Sequence, residues 1–235
     1  FPDLTFPGIN DSDRSSILGQ RAFYEIAWRR YENPRYLALL EKRASPWALV
    51  WGADVPADQA GRDLQLATSN EESEGLAVLR DNDNTTALFV DYGPGQSGHV
   101  QPAKLNIVLY AHGEERFVDP GRLPYGNPLH REWYRQTLAH NTVVVDQRSQ
   151  RQAAGELLAF YHEDGLSVVR VAAPQSYPGV RLERTVVMQK DVIFDIFQCR
   201  AEEPAVFDLP LHMRGTLTPS PDTAPCPPLD ENSGY

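Results

Sequence analysis

From Gly75 onward the chain is a succession of short runs rich in Val, Ile, Leu, Tyr and Phe, and that rhythm is what most limits its fold. The runs are residues 76–80, 87–92, 105–110, 116–118, 142–145, 166–172, 180–188, 191–198 and 205–213, with Gly113, Pro120-Gly121, Pro178-Gly179 and Gln189-Lys190 between them. Gly and Pro at such junctions supply the backbone angles that tight turns need. Strands at this spacing, with no helical crossover between most of them, predict a mainly β protein, an antiparallel β-sandwich.

Upstream of Gly75 the period is different. Asp11, Ser12 and Ser15 offer N-caps, and Ile17, Leu18, Ala22, Ile26 and Ala27 fall near one helical face, so the spacing predicts a helix over residues 11–31. Asn33-Pro34 stops it. Pro34 then opens a second helix with Tyr36, Leu37, Leu39 and Leu40 on its apolar side and Lys42 and Arg43 near its C-terminal end. Two antiparallel helices cannot enclose a core, so residues 1–52 read as the last helices of a larger helical domain. Residues 53–74 are the connector and residues 75–235 the sandwich. The tail carries Pro219, Pro221, Pro225, Pro227 and Pro228 and reads as irregular, a sandwich cut short.

Charge narrows the function. A net charge of -10 and a pI near 5.0 exclude a general nucleic-acid binder, because phosphate affinity needs clustered Lys and Arg. The acids are unevenly spread: residues 54–74 hold six against Arg62, whereas residues 114–151 hold five against six arginines. An anionic ligand meets least repulsion on the second segment. No run approaches the roughly 18 apolar residues of a membrane span. Cys199 and Cys226 are too few for a disulfide framework and lack the spacing of a metal knuckle. The opening FPDLTFPGINDSD reads as a loop inside a longer protein.

Residues 98–146 concentrate the candidate chemistry: His99, His112, His130 and His140, with Tyr125, Tyr134 and Asp119. In the run 105–110, Leu105, Ile107 and Leu109 share one face and Asn106, Val108 and Tyr110 the other. A turn at Gly113 returns the chain, so Asp119 comes back near the level of His99 and Gln101. A third strand begins with His140-Asn141. Three strand ends thus deliver His99, Asp119 and His140 to one rim, an active-site wall.

GHVQPAKLNIVLYAHG, the FVDPG corner, REWYRQT and AHNTVVVD, in that order, resemble the heparinase II/III-like polysaccharide lyases, a family that also includes oligoalginate lyases. The resemblance is dense over residues 89–150 and fainter on either side. It implies an (α/α) toroid followed by an antiparallel β-sandwich, with the active site between them. It further implies a periplasmic or secreted enzyme that cleaves an acidic, uronate-containing polysaccharide by β-elimination.

That reaction must neutralise the uronate carboxylate, remove the weakly acidic C5 proton and protonate the departing O4. His and Tyr suit the two proton transfers. By resemblance His99 is the catalytic histidine and Tyr125, in LPYGNP, the tyrosine that acts as acid and base. Tyr134 is the rival or a substrate contact, and with Trp133 and Leu138 it also reads as packing in a short helical turn. Arg122, Arg131 and Arg135 suit carboxylate or sulfate, since guanidinium pairs with such anions in bidentate fashion. Asn141 reads as a strand cap, and His112, His162 and His212 receive no role.

The family's structural zinc uses a His two residues after the catalytic one, the Asp of the DPG corner and the His of HNTV. Here those positions are Gln101, Asp119 and His140, and the family's further Asp is Ala103. Zinc prefers imidazole or thiolate to an amide oxygen. The alternative is a hydrogen-bonded Asp119–His140 pair that holds the same strand ends. The carboxylate-neutralising residues of the family come from the toroid and would precede Phe1, so the chain alone is expected to be inactive. Gln101 and Ala103 also motivate a different class, a non-catalytic carbohydrate-binding sandwich. A hydrolase would need two carboxylates about 5 to 10 Å apart, for which Asp119 and Asp146 are the candidates.

Overall fold

The computed structural model describes residues 1–40, 46, 50, 64, 66–93, 99–216 and 218. The chain packs as two units, residues 1–6 with 14–66 and residues 7–13 with 67–235.

In the first unit β1 (Thr5–Phe6) pairs antiparallel with β2 (Ser15–Ser16). The Ser16 hydroxyl accepts from Leu18 N–H at 3.2 Å and so caps a 3-10 turn, Ile17–Gln20, that runs into α1 (Arg21–Tyr31). Glu32 takes the left-handed conformation, φ 50°, and its N–H closes the helix on Trp28 O at 2.8 Å. The Asn33 side chain then accepts from Arg35 N–H at 3.0 Å at the head of α2 (Pro34–Leu37), with Pro34 in the first turn as predicted. The first helix thus starts at Arg21, not near Asp11. Ser15 and Ser16 are spent on strand pairing, and Asp11 and Ser12 belong to the second unit. Lys42, Arg43, Trp47, Trp51, most of the predicted connector and the Pro-rich tail lie outside the described residues.

The second unit is antiparallel throughout its described ladders. Strands β3 (Ser69–Glu71), β4 (Leu76–Arg80), β5 (Ala87–Asp91), β6 (Asn106–Ala111) and β7 (Glu114–Phe117) form one sheet in chain order. After a short strand β8 (Val144–Val145), a second sheet is built from β9 (Glu156–Glu163), β10 (Leu166–Tyr177), β11 (Val180–Gln189) and β12 (Val192–Ala201), again in chain order. Finally β13 (Phe207–Asp208) returns to pair with β8. Among the described residues of this unit, β3 and β9 escape the sequence pattern. β3 is a three-residue edge inside the predicted connector. β9 is an edge strand on which most side chains are exposed, so its apolar alternation is weak.

Period-two stripes from the two sheets meet in one core. Ala77, Leu79, Leu88, Val90 and Ile107 from the first pack against Val169, Val171, Leu182, Val186 and Met188 from the second. Burying a side chain of the Val, Leu, Ile or Met class contributes about 1.5–3 kcal/mol, so this shared layer is what makes the pair of sheets a sandwich. Arg184 sits in the inward stripe of β11, between Leu182 and Val186, and is fully buried. Its Nη1 donates to Leu105 O at 2.7 Å and Asn141 O at 2.6 Å, and its Nε to Asp195 Oδ1 at 2.8 Å. The charge is therefore paired, and it clamps two loop carbonyls to the sheet. Leu105 itself adopts the left-handed conformation, φ 66°, which is uncommon for a residue with a Cβ. Among the described residues no helix is long and apolar enough to cross a membrane.

Candidate active site

The segment that carries His99 and Gln101 runs through the interior before β6, and each of its polar backbone groups needs a partner there. Thr137 Oγ1 donates to Pro102 O at 2.6 Å and Thr142 Oγ1 to Lys104 O at 2.7 Å. Gln150 accepts from Lys104 N–H at 2.7 Å and donates to Lys104 O at 3.1 Å. Residues 137–150 thus fix the depth of the GHVQPAK region. Residues 7–13 lie along it: Asp11 N–H donates to His99 O at 3.1 Å, and Gln101 N–H to Asn10 Oδ1 at 3.0 Å.

This arrangement brings His99 and Tyr125 together. The Tyr125 oxygen lies 3.0 Å from His99 Nδ1, and its hydroxyl donates to Asp11 Oδ2 at 3.4 Å. Asp11 Oδ2 is also 3.7 Å from His99 Nδ1. The His99 side chain is 75% exposed and that of Asp11 fully buried, so a fixed carboxylate stands behind an accessible imidazole and phenol. In the sequence Asp11 reads as a helix cap. An Asp-Ser-Asp run ahead of apolar residues carries that signal, and nothing local distinguishes a cap from a residue that supports a site.

Asp119 and His140 form the second cluster. Asp119 Oδ2 lies 2.9 Å from His140 Nδ1, both side chains essentially without exposure. Asp119 also accepts from Asn106 Nδ2 at 2.6 Å and from Gly121 N–H at 2.9 Å, and His140 Nε2 is 3.2 Å from Tyr134 O. Gln101 turns its amide nitrogen to Gly121 O at 2.9 Å and Asp11 Oδ1 at 3.2 Å. That amide nitrogen is a donor and cannot ligate a cation. Both ring nitrogens of His140 and both Asp119 oxygens are already engaged, and among the described residues no three His, Cys, Asp or Glu side chains form a cation site. The Gln101 amide oxygen is buried with no partner among the described residues, and an amide oxygen is a weaker zinc donor than imidazole or thiolate.

The other predicted contacts have partners within the protein. Arg122 donates through Nε and Nη2 to Asp13 Oδ2 at 3.0 and 2.7 Å. The hydrogen bond from Arg122 holds the Asp13 carboxyl below its ordinary range, and Asp13 in turn raises the guanidinium. Arg135 Nη2 donates to Val100 O at 3.3 Å. Tyr134 is half-buried and meets His140 through its backbone. Asn141 is buried, donates to Ile107 O and Val118 O at 2.9 Å each, and accepts from His212 N–H, a structural role.

A family model described as Heparinase II/III-like, C-terminal, matches residues 69–226. The chain belongs to that family. Among its Heparinase II/III-like relatives, an alginate lyase of Stenotrophomonas maltophilia is 30% identical over 168 residues, 61% of this chain and 23% of that protein. An exo-oligoalginate lyase of Saccharophagus degradans is 26% identical over 64% of the chain and 24% of its own length. A heparin-sulfate lyase of Bacteroides stercoris is 27% identical over 83% and 28%. The chain therefore spans about a quarter of the length of the curated relatives it matches. Among solved structures, a heparinase III superposes with TM-score 0.75 at 21% identity, covering 94% of this chain and 33% of that one. The heparan sulfate lyase HepC of Pedobacter heparinus gives 0.67 at 20% identity, over 86% and 31%. At such identities the superpositions speak for the Heparinase II/III-like fold.

Proposed function

We propose that this chain is the sandwich portion of a polysaccharide lyase that cleaves a uronate-containing polymer by β-elimination, with His99 and Tyr125 in the proton transfers. The observation that carries the reading is the 3.0 Å approach of Tyr125 oxygen to His99 Nδ1 beside the buried Asp11 carboxylate. With the Tyr125 hydroxyl donating to Asp11, the imidazole presents its Nδ1–H to the phenol oxygen, and Nε2 carries the lone pair. His99 Nε2 then takes the C5 proton, the electron pair forms the C4=C5 double bond, and the C4–O4 bond breaks. Tyr125 hands its proton to the departing oxygen and recovers one from His99 Nδ1 across the same short contact. Asp11 holds both groups in register and offsets the charge that builds on the imidazole.

The lyase names of the relatives support this chemistry, and their different polymers leave the uronate open. Groups that neutralise the substrate carboxylate belong, in this reading, to a helical partner domain. We also propose that Gln101, Asp119 and His140 hold the three strand ends without a metal. The test is ultraviolet absorbance of the unsaturated uronate product, with the full-length protein acting on alginate and on heparan-type polymers. A rise on one of them is expected. Flat traces on every uronate polymer overturn the lyase.

A further inference from the structure

Beside Tyr125, on the π-helical turn His130–Tyr134, lies a cavity of about 360 Å3 lined by Tyr125, His130, Arg131, Arg135 and Gln136. Among the described residues its wall holds two guanidinium groups and no carboxylate, in a chain whose net charge is -10. His130 forms part of that wall, is 2% exposed, and neither of its ring nitrogens has a hydrogen-bond partner among the described residues. A buried imidazole without a partner is a cost that folds rarely keep unless something uses it.

The local backbone sets this arrangement. Arg135 N–H reaches back five residues to His130 O at 3.1 Å, and His130 N–H donates to Asn127 O at 3.0 Å. That wide turn places Arg131 and Arg135 on the same wall as His130, and such turns recur at functional positions. The Tyr125 ring stands edge-on to the imidazole, centroids 4.8 Å apart and planes at 86°. Tyr125 thus borders the cavity with its ring and meets His99 with its oxygen.

We infer that this cavity is a subsite for an oxyanion carried on a sugar ring, a carboxylate or a sulfate, on the unit next to the one cleaved. The identity of the sugar rests on the lyase reading; the binding does not. The guanidinium groups of Arg131 and Arg135 suit the two oxygens of such a group, and the His130 imidazole in the same wall has both ring nitrogens free to bond it. A sugar held there lies against the same tyrosine that protonates the leaving oxygen.

The test follows the His130 imidazole by proton–carbon NMR, assigned with His130→Gln, while the protein is titrated with a mannuronate trisaccharide, glucosamine 6-sulfate or a neutral glucan trisaccharide. The His130 resonance is expected to move with one or both charged sugars and to stay in place with the glucan. Whichever charged sugar moves it names the source of the oxyanion. Arg131 is exposed, so Arg131→Gln should keep the fold and weaken that binding tenfold or more. A resonance that ignores both charged sugars, or follows the glucan equally, overturns the subsite. Because the readout is binding, a protein that binds here yet makes no unsaturated product loses the lyase reading and keeps the subsite.

Discussion

The phenol oxygen of Tyr125 and Nδ1 of His99 stand 3.0 Å apart, on segments separated by 26 residues. Two groups that can each pass a proton, held this close, act as a unit, and removing either should cost nearly as much as removing both. General acid–base catalysis is worth about 10²–10⁴-fold, so Tyr125→Phe and His99→Ala should each lower kcat by about that factor. The double variant should fall little further. Additive losses in the three kcat values would mean that the two side chains work separately.

Gly121 seats the loop that brings Asp11 to this pair. It adopts φ 66°, and a Cβ there would lie 2.9 Å from Ser12 O and 3.2 Å from Gly8 O, both backbone atoms. Gly121→Ala must therefore displace residues 7–13 or itself, at a cost of about 1–3 kcal/mol. Activity should fall at least about tenfold, since small misplacements of catalytic groups are expensive. Gly113→Ala is the control, because Gly113 has φ 80° with no described residue within 4 Å of the added atom. It should lose some stability in urea and keep its kcat. Equal activities for the two variants would detach the loop from catalysis.

Gln101 holds Gly121 and Asp11 through its amide nitrogen, in the position where the motif resemblance implies an imidazole. Prolonged chelation is accordingly expected to leave activity and Tm unchanged, with metal below stoichiometric amounts by elemental analysis. Gln101→His supplies the imidazole that position lacks and should bring zinc uptake, while it loses the bonds to Asp11 and Gly121. Stoichiometric zinc in the unaltered protein, with a drop in Tm on its removal, would show that Asp119 and His140 rearrange into ligands.

What the sequence reveals and conceals here follows from which forces act locally. The period of Leu105, Ile107 and Leu109 picks out the face that joins the core between the sheets, although Asn106, Val108 and Tyr110 opposite are buried as well, and the turn at Gly113 fixes the hairpin that returns to Asp119. Edge strand β9 is hidden because its exposed face gives no clean alternation. Arg184 reads as a break in an apolar stripe, and only the fold supplies the Asp195 carboxylate and the two carbonyls that make it tolerable. Asp11 and His130 are concealed for the same reason: their partners, or lack of them, are set by segments distant in sequence. His99 and Tyr125 are legible only through motif resemblance, since periodicity says nothing about which histidine faces a phenol.

Tyr177, at the end of β10, offers a test of the core that is independent of catalysis. It is 6% exposed, and its hydroxyl donates to Arg148 O at 2.8 Å. Burial pushes the phenol up to about 12, and nearby hydrogen bonds only partly oppose that. The unfolded chain ionises this tyrosine near the ordinary value of about 10. Below that pH both states are neutral and the contribution to stability is complete. Above it the unfolded state releases its proton first, so stability falls as pH rises through about 10 to 12, by up to roughly 3 kcal/mol. Tyr177→Phe should cost about 1 kcal/mol at neutral pH through the lost hydrogen bond and should flatten the alkaline decline. Urea midpoints measured from neutral pH into this window for both proteins decide it. Parallel curves would place the alkaline sensitivity on some other group.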